Sequence, residues 1–123
     1  MKRPINILLL FVIFIFTTAS AYYFAGQAGL RGKSQIITIT DNGFEPASIT
    51  VDKNTRVVFK NIGNNDHWPA SDLHPTHGIY SEFDPLDGIF PGKDWSFVFK
   101  KSGKWRYHDH LAPELRGEII VNP

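Results

Sequence analysis

The sequence of 123 residues contains no cysteine, and this absence removes several kinds of chemistry at once. The protein cannot form a disulfide, and it offers no thiolate to a metal ion. Redox chemistry at a Cys-x-x-Cys pair, a cysteine nucleophile and lipid attachment at an N-terminal cysteine are excluded as well. Any metal site in this chain must therefore be built without thiolate.

The chain also lacks an excess of charge of either sign. It carries 13 Lys and Arg against 12 Asp and Glu, which gives a formal net charge of +1 with neutral histidines. These charges are interspersed, and no basic stripe is present along the sequence. Proteins that bind nucleic acid usually show such a stripe, so we expect no nucleic-acid partner.

Residues 1–26 show the pattern of an export segment. Lys2 and Arg3 form a positive end, an apolar run follows, and a small-residue stretch ends in Ala-x-Ala at Ala21. This pattern is typical of a signal peptide that is cleaved after Ala21. The alternative is an uncleaved membrane anchor through residues 5–25, since no charge occurs between Arg3 and Arg31.

Both interpretations predict the same location for the rest of the chain. The positive end stays in the cytoplasm, so the remainder lies on the far side of the membrane, in the periplasm or outside the cell. Residues 27–34 are polar and contain glycine, which indicates a linker. Residues 35–123 are enough for one domain with one core.

Within that domain the sequence predicts strands and no helix. No segment after residue 26 keeps a helical period over three turns, whereas short β-branched or aromatic runs alternate with turn residues. Turn signals every 8–12 residues favour an all-β sandwich. The predicted strands cover residues 35–40, 48–51, 56–60, 94–100, 104–109 and 118–121.

Residues 61–92 form a long irregular stretch rich in Pro, Asp, Gly and His. A connection of this length in a small domain is usually functional or disordered. Its large apolar residues predict that it packs onto the domain. These residues are Trp68, Ile79, Tyr80, Phe83 and Ile89.

All five histidines lie in two places. His67, His74 and His77 belong to the long stretch, and His108 and His110 end the penultimate strand. Loops at one end of a sandwich converge, so these two regions can face each other. Neutral imidazole is a good ligand for copper and zinc. A single loop histidine is usually only a surface residue, but five in two converging regions favour a metal site.

The spacing of His108 and His110 predicts the direction of their side chains. His108 and His110 lie two residues apart on a strand, so their side chains share a face about 7 Å apart at the backbone. Trp105 and Tyr107 take the opposite face and are expected in the core. We expect a site of His67, His108 and His110, completed by His77 or His74. Trp68, next to His67, is the aromatic residue that we expect to shield this site.

Three carboxylates close to these histidines are weaker candidates. Glu82, Asp84 and Asp109 are possible metal ligands, but carboxylates at turns more often cap the backbone or face solvent.

The order of these residues resembles the cupredoxin family over residues 36–122. The first half of the pattern is Phe44-x-Pro46, Ile49-x-Val51, Val57-x-Phe59-x-Asn61 and then His67. The second half is Pro91-Gly92, Trp95-x-Phe97-x-Phe99, Gly103, Tyr107 and Gly117-x-Ile119-x-Val121. The resemblance implies a Greek-key β-sandwich and a copper site, with His67 as one ligand.

The chain departs from that family where the other ligands are expected. Small electron-transfer cupredoxins carry Tyr-x-Cys-x-x-His-x-x-Met-x-Gly before the last strand. Counting back from Gly117, the Met position is Leu115, the His position is Ala112 and the Cys position is Asp109. A blue-copper centre requires the thiolate, so this type of centre is not expected here.

The same stretch is similar to a motif of multicopper oxidases. Residues 103–110 resemble the pattern Gly-Thr-Phe-Trp-Tyr-His-Ser-His of these oxidases and share its final His-x-His. The oxidase domain that carries this pattern also lacks the cysteine. His67-Trp68 is similar to their His-Trp-His motif, although Pro69 replaces the second histidine. This resemblance implies copper held at an interface, which in a single short domain would require a homo-oligomer.

The main hypothesis is a protein that binds Cu²⁺ for copper handling in the cell envelope, with zinc as a possible alternative ion. A copper-dependent redox or oxidase-like activity is a second hypothesis, less favoured than binding alone. The third is a metal-free interaction module that uses the long aromatic stretch.

Overall fold

The computed structural model describes residues 34–123, which form eight strands and contain no helix. The strands alternate with turns, as the β-branched and aromatic runs of the sequence predict. Their bounds are β1 (Ser34–Thr40), β2 (Gly43–Glu45), β3 (Ser48–Asp52), β4 (Arg56–Asn61), β5 (Pro69–Ser71), β6 (Asp94–Val98), β7 (Gly103–Asp109) and β8 (Ala112–Asn122).

These strands form two four-stranded sheets, and the predicted all-β sandwich is confirmed. One sheet has the order β2-β1-β4-β6, and the other has the order β3-β8-β7-β5. β1 runs parallel to β4, and β3 runs parallel to β8, while the other pairs are antiparallel. Parallel neighbours need crossover connections, so the chain passes repeatedly between the two sheets.

The core lies between the sheets and is largely aromatic. Tyr107 is fully buried, and its ring contacts Phe44, Phe59 and Phe83 with centroids 4.7–5.5 Å apart. The predicted inward position of Tyr107 is confirmed. The other buried apolar residues are Ile37, Ile39, Val51, Val57, Ala70, Tyr80, Ile89, Phe99, Ile119 and Val121.

Three strands differ from the sequence prediction. β2 and β5 have only three residues each, too short for a periodic signal. The last strand begins at Ala112 rather than at residue 118. Its early residues pair with the end of β7 across a register shift between His108 and Asp109, which hides the alternation.

The long connection from β5 to β6 packs onto the sandwich, and this prediction is confirmed for Tyr80, Phe83 and Ile89. Its backbone is tied to the second sheet, since the amide of Asp72 donates to the carbonyl of Arg106 over 3.0 Å. Ile79 is the exception, because its side chain is 40% exposed and does not join the core.

The predicted export segment and most of the linker lie outside the described residues. Among residues 34–123, no helix has the length and apolar character needed to span a bilayer.

Candidate metal centre

The short strand β5 brings the two histidine-containing regions together. It pairs with the end of β7, with Ala70 opposite His108 and Pro69 opposite Asp109. The long connection therefore starts beside the end of β7, and its first turn carries His74 and His77. His110 follows β7 directly, in the turn before β8.

Four histidines meet at this point, which are His74, His77, His108 and His110. Each offers one ring nitrogen, and these four atoms all lie within 4.8 Å of one another. His77 Nε2 is 2.9 Å from His110 Nδ1, and His74 Nδ1 is 3.3 Å from His108 Nε2. The two regions thus converge as the sequence predicted, and the group contains four of the five candidate histidines.

Asp72 orients the ring of His108, which is completely buried. His108 Nδ1 lies 2.9 Å from Asp72 Oδ1, and a carboxylate can only accept, so Nδ1 carries the proton. The lone pair is then on Nε2, the atom that faces the other histidines. Arg116 and Arg106 approach Asp72 Oδ2 to 3.4 and 3.9 Å.

Asp84 has the same role for His77. His77 Nδ1 lies 2.6 Å from Asp84 Oδ2, which leaves the lone pair on Nε2. The other oxygen, Oδ1, accepts hydrogen bonds from Trp68 Nε1 at 2.7 Å and from the amide of Leu86 at 2.8 Å. Burial favours the protonated acid, but these hydrogen bonds together hold the pKa of Asp84 below its ordinary value.

The backbone of His77 is in the left-handed region, with φ at 53°. Such a conformation costs free energy in a residue that has a Cβ, and it persists where surrounding contacts enforce it. Here the amide of His77 donates to the carbonyl of Leu73 over 2.6 Å, which closes the turn that carries both loop histidines. The turn geometry therefore directs the His77 ring toward His110.

Trp68 covers one side of the group. Its indole ring lies against the ring of His110, with centroids 4.7 Å apart, and its N–H is held by Asp84. The sequence analysis expected Trp68 to shield a metal site, and in the structure its ring lies against His110, a member of the group.

Burial favours the neutral form of two of the four imidazoles, those of His108 and His110. Burial lowers the pKa of His108, although the hydrogen bond and the charge of Asp72 act in the opposite direction. Desolvation also lowers the pKa of His110, and positive charge on His77 or His74 would lower it further. Neutral imidazole is the form that binds a metal ion.

The two closest nitrogen pairs have the spacing of adjacent ligands around one metal ion. Metal–nitrogen bonds of about 2.0–2.1 Å place adjacent ligand nitrogens about 2.9–3.4 Å apart in tetrahedral or square-planar geometry. The two closest pairs of the group, at 2.9 and 3.3 Å, have this spacing. Two of the four lone pairs are also directed inward by carboxylates, an arrangement that is common around metal-binding histidines.

His67, which the sequence analysis expected among the metal ligands, lies outside this group. Its Nδ1 lies 2.5 Å from Asp109 Oδ2, and its Nε2 lies 3.2 Å from Asp41 Oδ1. Both ring nitrogens are therefore occupied by carboxylates. The backbone of His67 pairs with Ile89.

The carboxylates that the sequence left open also take structural positions. Asp109 Oδ1 accepts hydrogen bonds from the amides of Trp68 and Leu111, at 2.9 and 3.0 Å. Glu82 is exposed and pairs with Lys101 at 3.0 Å. Neither belongs to the histidine group.

Sequence reasoning missed Asp72. Nothing in its local sequence marks it, since its role depends on the pairing of β5 with β7, which sets it beside His108. A usable signal would have been the general association of metal-binding histidines with a carboxylate in an adjacent segment.

The fold and site together define a cysteine-free β-sandwich with a group of four imidazoles at one end. The family model of the cupredoxin-like domain matches residues 6–121, so the chain belongs to this family.

Solved structures share this fold at low sequence identity. A purple cupredoxin from Nitrosopumilus maritimus is 19% identical, with a TM-score of 0.62, and the match covers 71% of this chain and 98% of that protein. A reduced tryptophan-to-tyrosine mutant of amicyanin is 19% identical, with a TM-score of 0.64 and coverage of 77% and 88%. The Cu(I) form of a methionine-to-alanine mutant of amicyanin is 21% identical, with a TM-score of 0.62 and coverage of 72% and 82%. No curated protein matches the sequence.

Proposed function

We propose that the chain binds one copper ion as Cu²⁺ through His74, His77, His108 and His110. The observation that carries this proposal is the convergence of four ring nitrogens within 4.8 Å. His67, which the sequence analysis included, has no place in the proposed set because both its nitrogens face carboxylates.

The donor chemistry favours copper over other divalent ions. Imidazole nitrogen suits copper and zinc, and for a given set of ligands Cu²⁺ binds more tightly than Zn²⁺. Membership of the cupredoxin-like family and the Cu(I) form of amicyanin among the similar structures support the same ion. Zinc is the expected competitor, because a four-nitrogen tetrahedral site also satisfies it.

The role that fits such a site is copper handling in the cell envelope, meaning capture, storage or delivery. A site without thiolate has no strong charge-transfer absorption and stabilises the oxidised ion. The export pattern of residues 1–26 supports a location in the periplasm or outside the cell, whether cleaved or anchored.

Metal titration with EPR spectroscopy tests the proposal on the purified full chain. We expect one equivalent of Cu²⁺ to bind, with a weak visible band and the EPR spectrum of a type-2 centre with nitrogen ligands. An intense band at about 600 nm is not expected, since it requires thiolate. Absence of any affinity for Cu²⁺ on titration would reject the proposal and favour the metal-free interaction module.

Copper affinity should depend on pH in a defined direction. Protons compete with the metal for the ring nitrogens, so affinity should be constant near pH 7.5 and fall below about pH 6. Burial lowers the pKa of His108 and of His110, so protons compete with the metal for these two rings only at a lower pH than for an ordinary histidine. Competition titrations from pH 5 to 7.5 measure this, and an affinity that does not change over that range would contradict histidine ligation.

A further inference from the structure

His74 differs from the other three histidines in the way it is held. The rings of His77 and His108 are buried and each is anchored by a carboxylate. The half-buried ring of His110 lies against Trp68. His74 is exposed, and among residues 34–123 no carboxylate pairs with it. Its ring contacts are with the histidines His108 and His110 themselves.

The surroundings of His74 are also open. The preceding residue, Leu73, has 60% of its surface exposed, and the turn from residue 73 to 77 is closed by backbone and hydroxyl hydrogen bonds to the Leu73 carbonyl. These bonds fix the path of the chain and the position of His77. They do not fix the ring of His74, so its side chain can rotate toward solvent without breaking them.

An ion that enters or leaves a four-ligand site must pass through a state with one protein ligand released. Release costs least for the ligand that has no anchoring partner and is already in contact with water. Mutation of the group that hydrogen-bonds a metal-binding histidine typically weakens metal binding by about 10–100-fold. His77 and His108 have such a carboxylate partner, and His74 has none among residues 34–123. By this criterion His77 and His108 are the fixed ligands, and His74 is the one that exchanges.

We propose that His74 is the exchangeable ligand of the copper site. When its ring swings away, the ion stays on His77, His108 and His110, and the open position accepts one exogenous imidazole, such as the histidine side chain of a molecule that delivers or receives copper. This inference rests on the proposed copper binding. It adds the direction from which the ion is exchanged and the class of donor that assists the exchange.

The test compares His74→Ala with His77→Ala, measuring Cu²⁺ binding, EPR spectra and the rate of copper release to excess EDTA. We expect His74→Ala to retain one equivalent of Cu²⁺ and to release it about tenfold faster, since the open position admits the chelator. Adding imidazole should restore its wild-type EPR spectrum and slow the release. His77→Ala should lose most of its affinity, and imidazole should not restore it.

The wild-type protein provides a second measurement that does not depend on a variant. Its rate of copper release should rise with added imidazole, because imidazole that takes the place of His74 is not tethered to the chain and is displaced by the chelator more easily than the His74 side chain. If His74→Ala loses copper as completely as His77→Ala, or if imidazole leaves both the EPR spectrum of His74→Ala and the wild-type release rate unchanged, the inference is overturned. Failure of the wild-type protein to bind Cu²⁺ at all would instead overturn the proposed function.

Discussion

His108→Ala is expected to lower the affinity for Cu²⁺ by more than tenfold, which corresponds to at least about 1.4 kcal/mol. The change removes a ligand whose ring is completely buried and whose Nε2 is directed at the other histidines by Asp72. No solvent-exposed group can replace it in that position. His110→Ala should also exceed a tenfold loss, since His110 Nδ1 forms the closest nitrogen pair with His77 Nε2. A competition titration with a chelator of known affinity measures both variants.

The matched control is His67→Ala, which removes a buried histidine that lies outside the four-histidine group. It should still bind one equivalent of Cu²⁺ with an affinity close to that of the wild type. It should also be less stable, because Asp109 and Asp41 lose a hydrogen-bonding partner, one of them in a buried position. If His67→Ala lost copper as strongly as His108→Ala, the ligand set proposed here would be wrong.

Gly117→Ala is expected to destabilise the domain by about 3 kcal/mol, a large effect for a single added methyl group. A Cβ at this position would overlap with Cζ and Oη of Tyr107 and would lie 2.7 Å from Cε1 of the same ring. Tyr107 cannot move aside, because its fully buried ring is packed between Phe44, Phe59 and Phe83. Thermal unfolding should show a decrease in Tm of more than about 10 °C.

Two further variants separate this clash from other effects of the substitution. Gly78→Ala adds the same methyl group where the nearest atom, Thr76 Oγ1, is 3.6 Å away, so stability should change little. Tyr107→Phe removes a buried hydroxyl that has no hydrogen-bonding partner among the described residues, and it should not destabilise the domain. A Gly117→Ala protein with wild-type Tm would show that β7 and β8 pack less closely than described.

The strands with strong alternation were predictable because their side chains report directly on the core. Ile37 and Ile39 in β1, and Val57 and Phe59 in β4, lie two residues apart and are all buried, while the residue between each pair is only partly buried. β5 was not predictable in this way. Its three residues are buried throughout, as part of an edge that covers His108, and so they show no alternation.

For the site, the sequence correctly indicated that the loop and strand-end histidines would converge. It also placed His77 and His74 as completing residues, and the structure brings both beside His108 and His110. His67, the other expected member, lies outside this group. Side-chain direction in an irregular segment follows no period, so spacing could not show that His67 faces Asp109 and Asp41 instead.

The amino-acid sequence by itself determined the chemical character of this protein: a β-sandwich with no thiolate and with every histidine in two regions. These properties depend on residue type and on the two-residue period of a strand, both of which are local. The tertiary structure alone decided which four imidazoles meet and which carboxylates, Asp72 and Asp84, orient them. That choice depends on the pairing of β5 with β7 and on the turn at residues 73–77, where contacts between distant segments set the direction of each ring.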